Sequence, residues 1–268
     1  MTHSTSWLEY FDAAYLINLD SEPEWLRKAG LRLKAAGIPF ERFAALTVPA
    51  HAAAAWDKIG FRGHAGIAMS HRAVLLNAYK LGHQRILIFE DDVVLRNDLK
   101  KHMPAMIEQL TRIDWDIFYL GLNGERRKIS RSLGHVRSGW HAHAYGVSRK
   151  AMPKLISYID AFLQRCEATY FDGFEDPTLK KYCAEPTLAI QDSRYSATHQ
   201  RFIYRYPDQI KGFDRVSFFW HCNDVENLLP DLNHRFRRLG IGPRKFLIRL
   251  NIIGDYVRRA IKSFLKIS

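Results

Sequence analysis

Long apolar runs are missing from this chain. No stretch approaches the roughly 20 consecutive apolar residues that a membrane-spanning helix needs, although 47% of the residues are hydrophobic. The opening MTHSTSWLEYFDAAY lacks the basic start and apolar run of a secretory leader, so no leader is expected. Cysteine is scarce. Cys166, Cys183 and Cys222 are odd in number and unevenly spaced. That argues against a disulfide framework or a paired-cysteine metal site, and a reducing cytoplasm is expected. Internal repeats and low-complexity segments are absent, which excludes solenoids and biased linkers. Acid is in short supply, with 28 Asp and Glu against 40 Lys and Arg and a formal net charge of +12. The shortage is local. Residues 235–268 hold ten Lys and Arg against Asp255 alone, a net +9 of that total. The remaining body is close to neutral, and 268 residues suffice for one large domain or a domain with an appendage.

Against this background, residues 86–95, ILIFEDDVVL, stand out. Ile86 to Phe89 reads as a buried strand, and it stops at Glu90, Asp91 and Asp92. Three adjacent negative charges cannot be buried without partners, so they are expected at a strand tip. In an open α/β sheet that tip is where ligands sit. Carboxylates there suit a hard divalent cation, Mn²⁺ or Mg²⁺, and through it a diphosphate. Side chains alternate along a strand, so Glu90 and Asp92 share one side and Asp91 takes the other.

Alternating strand and helix signals surround this stretch and predict an α/β fold with a mostly parallel sheet. A first strand covers 14–19. A helix near 22–36 follows, with Asp20 or Ser21 as N-cap, Pro23 in its first turn and Gly37 at its end. PFERFAAL is a short strand, and residues 48–64 form a connection without a clear assignment. A helix over 65–81 has Met69, Ala73, Leu76 and Tyr79 at helical spacing. A helix near 97–111, a strand at 116–121, a basic loop at 126–139 and a helix at 149–165 complete the body. His141 and His143 flank Ala142, so an extended segment places both on one face.

The pieces INLD (17–20), GIAMSH (66–71), ILIFEDDVVL (86–95), WDIFYLG (115–121), HAYGVSRKA (143–151) and, more loosely, PTLAIQDSRYS (186–196) occur in this order. As an ordered set they resemble glycosyltransferase family 25, the lipooligosaccharide galactosyltransferase group that also contains collagen galactosyltransferase domains. The resemblance implies a GT-A-type nucleotide-sugar-binding fold over residues 1–225. It implies an inverting, metal-dependent transfer of a hexose, most often galactose, from a UDP-sugar to a lipooligosaccharide or other surface glycan. It places the metal on Asp92 first and Glu90 second, with Asp91 near the sugar or ribose. Asn18 and Asp20 would face the nucleotide, Arg27 the phosphates, and Ser70, His71 and His143 the donor site. An inverting displacement needs a base for the acceptor hydroxyl. The resemblance puts an acid between the helix at 149–165 and the PTLAIQDSRYS element, where Asp172 ranks ahead of Asp176. Asp176 precedes Pro177 and also reads as a helix cap.

Residues 226–268 are expected to form a basic helical appendage. Over 244–267, Phe246, Leu250, Ile253, Val257, Ile261 and Phe264 share one side, with Arg258, Arg259, Lys262 and Lys266 opposite. A basic amphipathic helix suits the anionic inner face of the cytoplasmic membrane, where a lipid-linked acceptor would be met. No nucleic-acid partner is expected, since the tail lacks a recognised binding motif. The oligomeric state is not legible in the sequence.

Overall fold

The computed structural model describes residues 7–140, 142–169, 171, 173–192, 194–196 and 201–203. All of them lie in the first of the two units, Met1–Cys222 and Asn223–Ser268, into which the chain divides. The expected tail at 226–268, the candidate base Asp172, His141 and Cys222 lie outside the described residues.

Helices and strands alternate through the first half. A short helix α1 (Trp7–Tyr10) leads to β1 (Ala13–Asn18), α2 (Pro23–Ala35) and β2 (Glu41–Ala44). Then come α3 (Ala50–Lys58), α4 (Arg62–Lys80), β3 (Arg85–Glu90), β4 (Val93–Leu95) and α5 (Leu99–Arg112). The second half holds β5 (Ile117–Tyr119), β6 (Asn123–Lys128), β7 (Leu133–Trp140), β8 (Ala144–Ser148) and α6 (Met152–Arg165). It ends with β9 (Lys181–Ala184), β10 (Ala189–Gln191), β11 (Arg194–Ser196) and β12 (Arg201–Ile203).

Eight strands form the main sheet in the order β2-β1-β3-β8-β5-β9-β7-β6. Six run in one direction, and β7 and β8 are reversed. The sheet is therefore α/β and mixed. Two small antiparallel pairs, β4 with β10 and β11 with β12, lie outside it. Alternation along the central strands sorts the core into two layers. Tyr15, Ile17, Ile86 and Ile88 face one way and pack with α3, α4 and α6. Leu16, Leu87 and Phe89 face the other way and pack with α2 and α5. On α6 the stripe Met152, Leu155, Ile159 and Phe162 is buried, at the spacing expected of one helix face.

Two local expectations are revised and a third gains detail. The N-cap of α2 is Glu22, not Asp20 or Ser21, and it makes no side-chain capping bond. Helix α4 forms, but it buries Ala65, Ala68, His71, Val74, Leu75 and Ala78, while Met69, Ala73 and Leu76 are half-buried and Tyr79 is exposed. The spacing thus marked the helix, while its buried face is turned from those residues and carries several small side chains. Third, residues 126–139 are not a loop. They lie in the antiparallel hairpin β6–β7, in which Arg127 pairs with His135 and Lys128 with Gly134. Charges at an edge strand mask the apolar alternation that sequence reading relies on. Five strand spacings separate β6 from β3, about 24 Å at the usual spacing.

Residues 48–64, without an assignment from sequence, contain α3, whose Trp56 is buried against Phe162. Strand β9 was also illegible. It holds Lys181, a buried lysine whose pKa falls because burial disfavours its charge.

Candidate functional site

The strands β1, β2 and β3 end together, because their parallel register brings Asn18, Ala44 and Glu90 to one edge of the sheet. A cleft of about 590 Å³ opens there. That volume falls within the roughly 300–1,000 Å³ of small-molecule sites. The tips of β1 and β3 supply Asn18, Glu90 and Asp91, and α2 supplies Trp25. The segment after β2 supplies Ala45 to Val48. One face of α4, through Gly63, Gly66, Ile67, Ser70 and His71, forms the opposite wall.

Asn18 is buried at the strand tip and fully engaged. Its Nδ2 donates to the Glu22 carbonyl at 2.9 Å and to Asp91 Oδ2 at 2.7 Å. Arg42 Nε donates to its Oδ1 at 3.3 Å. Asn18 thus ties the β1 tip to the acidic turn and to the start of α2. Arg42 also forms an ion pair with Asp20, whose side chain is 80% exposed and does not line the cleft. Arg42 drew no attention in the sequence, since nothing local marks a β2 arginine as a neighbour of Asn18.

Ser70 is a latch. Its hydroxyl donates to the Gly66 carbonyl at 2.8 Å and accepts from the Leu46 N–H at 2.8 Å. The segment after β2 is thereby held against α4. A Cβ at Gly66 would come within 3.0 Å of the Leu46 carbonyl oxygen, so this wall depends on a small residue. His71 is fully buried, with Nδ1 2.8 Å from the Tyr145 hydroxyl and Nε2 3.4 Å from Glu90 Oε1.

The three acids take different positions. Glu90 keeps part of its carboxylate exposed, and Asp91 lines the cleft while bonded to Asn18. Asp92 is 1% exposed and turns inward. Even so, Glu90 and Asp92 flank a common point. Gln191 Nε2 lies 3.4 Å from Glu90 Oε2 and 3.3 and 3.5 Å from the two Asp92 oxygens. Glu90 and Asp92 therefore both face the Gln191 amide, which occupies the point between them. Among the described residues, no three His, Cys, Asp or Glu side chains are grouped to hold a metal ion.

Gln191 reaches this point through β10, whose pairing with β4 sets Gln191 opposite Val93. The Asp192 N–H donates to the Asp92 carbonyl at 2.6 Å. Arg32 of α2 closes the arrangement. It forms a buried ion pair with Asp192 at 2.8 Å and donates to the Val93 carbonyl at 2.9 Å. Gly121 makes the approach possible, because a Cβ there would lie 1.9 Å from the Ala189 carbonyl oxygen. None of Arg32, Gln191 and Asp192 is marked by local sequence signals, apart from membership of the PTLAIQDSRYS piece for the last two.

Besides Asp20 and the inward-turned Asp92, three expected site residues do not line the cleft. Arg27 is an exposed partner of Glu24 at 2.7 Å and does not line the cleft. His143 is fully buried, and its backbone carbonyl accepts from the Glu90 N–H at 2.9 Å. Asp176 sits in a turn, accepting from the Thr178 N–H at 2.8 Å and the Thr178 hydroxyl at 2.7 Å, with Lys154 at 3.2 Å. The Thr178 bonds and the Lys154 charge lower its pKa, which makes it a weaker base than an ordinary aspartate.

Comparison with known proteins points to one family over the first half of the chain. Residues 11–125 match Glycosyltransferase family 25 (LPS biosynthesis protein). A bovine protein named "Probable inactive glycosyltransferase 25 family member 3" is 25% identical over 149 residues, 48% of this chain and 25% of that protein. Human "Procollagen galactosyltransferase 2" is 24% identical over 149 residues, 47% of this chain and 24% of that protein. The matched region thus spans about a quarter of these relatives. A glycosyltransferase involved in the glycosylation of the major capsid of PBCV-1 superposes with a TM-score of 0.40 at 11% identity, covering 65% of this chain and 81% of that one, too loosely to carry an argument. The family match spans β1, the α4 wall and the acidic turn, which are the elements that build the cleft. Over residues 11–125 this chain is similar to glycosyltransferase family 25.

Proposed function

We propose that the chain is a metal-dependent, inverting glycosyltransferase of GT-A type. It moves a hexose, galactose first among candidates, from a UDP-sugar to a lipooligosaccharide or other surface glycan. The observation that carries this reading is the acidic turn at a nucleotide-sized cleft at the strand ends, with Glu90 and Asp91 on its wall and Asp92 buried beside them on the Gln191 amide shared with Glu90. Glu90 and Asp92 would hold Mn²⁺ or Mg²⁺, and that cation would offset the charge growing on a leaving diphosphate. The half-buried Trp25 on the cleft wall offers an aromatic face for a base. Asn18 and Asp91 form a fixed polar pair for a ribose or sugar hydroxyl. Arg42 and Arg62 add positive charge near the cleft for phosphate. The acceptor base remains assigned to Asp172, since Asp176 is committed to its turn.

A second reading has specific support. Several family members similar to this chain are named as inactive, so a silent domain that retains the cleft is the alternative. In either case, residues 226–268 are proposed to rest on an anionic membrane surface, on the strength of their charge and amphipathic pattern. The test uses purified full-length protein with Mn²⁺ and a panel of UDP-sugars. Free UDP is read first, and the product by mass spectrometry with a glycan acceptor. Transfer that is abolished in Asp92→Asn and by chelator supports the enzyme. Binding of UDP without turnover of any sugar supports the silent domain. Full activity in excess chelator refutes the metal assignment.

A further inference from the structure

Behind Glu90 stands an imidazole held on every side. His71 is fully buried, stacks on Tyr145 at 11° with ring centroids 5.7 Å apart, and meets Phe171 edge-on at 5.5 Å. A ring packed in this way keeps one orientation, because rotation would open a void in a close-packed core. Each nitrogen has a defined neighbour, the Tyr145 hydroxyl for Nδ1 and Glu90 Oε1 for Nε2.

Those neighbours determine where the proton sits. A bare Nε2 would set a lone pair towards a carboxylate oxygen 3.4 Å away, a contact too loosely aligned to be a full hydrogen bond but close enough to repel. Glu90 therefore favours hydrogen on Nε2. The Tyr145 hydroxyl both donates and accepts, so it can donate to a bare Nδ1 and thereby fix that tautomer. The other Glu90 oxygen has its own neighbour, Gln191 Nε2 at 3.4 Å. One oxygen is thus addressed from α4 and the other from β10.

We propose that His71 and Tyr145 are positioning residues that aim the Glu90 carboxylate into the cleft, with Tyr145 selecting the His71 tautomer that presents N–H to Glu90. The inference rests on the donor-site reading of the cleft. It deepens that reading by giving both residues of the Ser-His pair on α4 a chemical role, since Ser70 holds the wall and His71 holds the carboxylate. A buried histidine with a purely packing role would be indifferent to which nitrogen bears hydrogen.

The test has two arms, both on the full chain. In the first, nitrogen-15 NMR of the imidazoles is recorded, with His71 assigned by its loss in His71→Gln. The expected pattern is a protonated Nε2 and a bare Nδ1 in the wild type, and a larger share of Nδ1–H in Tyr145→Phe, where the 3.4 Å contact with Glu90 alone still favours Nε2–H. A bare Nε2 in the wild type, or an unchanged pattern in Tyr145→Phe, overturns the proposal. In the second arm, turnover of the UDP-sugar is compared in His71→Gln and His71→Leu. The Gln amide can present N–H where Nε2 stood, so it should keep turnover, whereas Leu should lose about 10- to 100-fold in kcat. Equal turnover in the two variants overturns the proposal. Should His71→Leu fail to fold, Tyr145→Phe, which keeps the ring and its packing, takes its place in the kinetic comparison. If the wild type turns over no sugar, the donor-transfer reading fails, and the NMR arm alone decides the tautomer assignment.

Discussion

Arg32 offers the most direct perturbation of the scaffold behind the acidic turn. Its guanidinium, with a side chain 10% exposed, reaches from α2 to Asp192, whose side chain is 1% exposed. It also donates to the Val93 carbonyl at 2.9 Å. Arg32→Met keeps much of the apolar stem and removes the charge. Asp192 then loses this cation while remaining buried, and breaking a buried pair from one side costs about 3–5 kcal/mol. Loss of the bond to Val93 adds about 1 kcal/mol. Domains of this size have about 5–15 kcal/mol in all, so the variant should be marginal. Asp192→Asn in the same chain removes the buried negative charge and should recover part of the loss, making the double variant more stable than Arg32→Met alone. Urea unfolding of the wild type, both single variants and the double variant measures each term and the coupling between them. A cost below about 1 kcal/mol for Arg32→Met, or no recovery in the double variant, would refute the argument that this ion pair holds β10 and β4 together.

Four further outcomes are expected. Gly121→Ala should destabilise the fold by about 1–3 kcal/mol or more, because its new carbon meets the Ala189 backbone; a thermal shift near zero would show that β10 moves aside freely. Asp176→Asn should leave donor turnover largely intact, and its stability deficit should fade in acid. The Asp176 pKa is lowered in the folded state, so its stabilisation is present above the unfolded pKa and lost as pH falls through the folded one; loss of turnover with donor binding retained would restore it as a base candidate. Asp114 is held by Lys150 and Lys180, so its carboxyl should titrate at about 2 by NMR, and its contribution to stability should disappear as pH falls from the ordinary carboxylate range towards that value. Burial pushes the Cys183 thiol up to about 12, so in a Cys222→Ser background iodoacetamide should label Cys166 first near pH 8, and rapid labelling of Cys183 in the native protein would contradict its burial.

Much of the layout was legible in the sequence for a local reason. Strand β3 followed by three carboxylates has no other comfortable place than a sheet edge, and the structure puts Glu90 and Asp91 at a cleft mouth. Helices α2, α4, α5 and α6 announce themselves through Pro23, Gly37 and periodic apolar residues, since caps and amphipathic stripes act within a few residues of one another. Hairpin β6–β7 and strand β9 did not, because an edge of charged residues and a short strand with a buried lysine owe their form to the neighbouring strand. The pattern at the site is the same. The type and order of Asn18, His71 and Glu90–Asp92 follow from sequence. That Asn18 binds Asp91, that Gln191 lies between Glu90 and Asp92, and that Arg32 anchors Asp192 were decided by strand register and by helix α2 crossing to β10. Contacts between residues separated by 73 to 160 positions leave no mark on local spacing, because each side chain is chosen for a neighbour that only the folded sheet brings near.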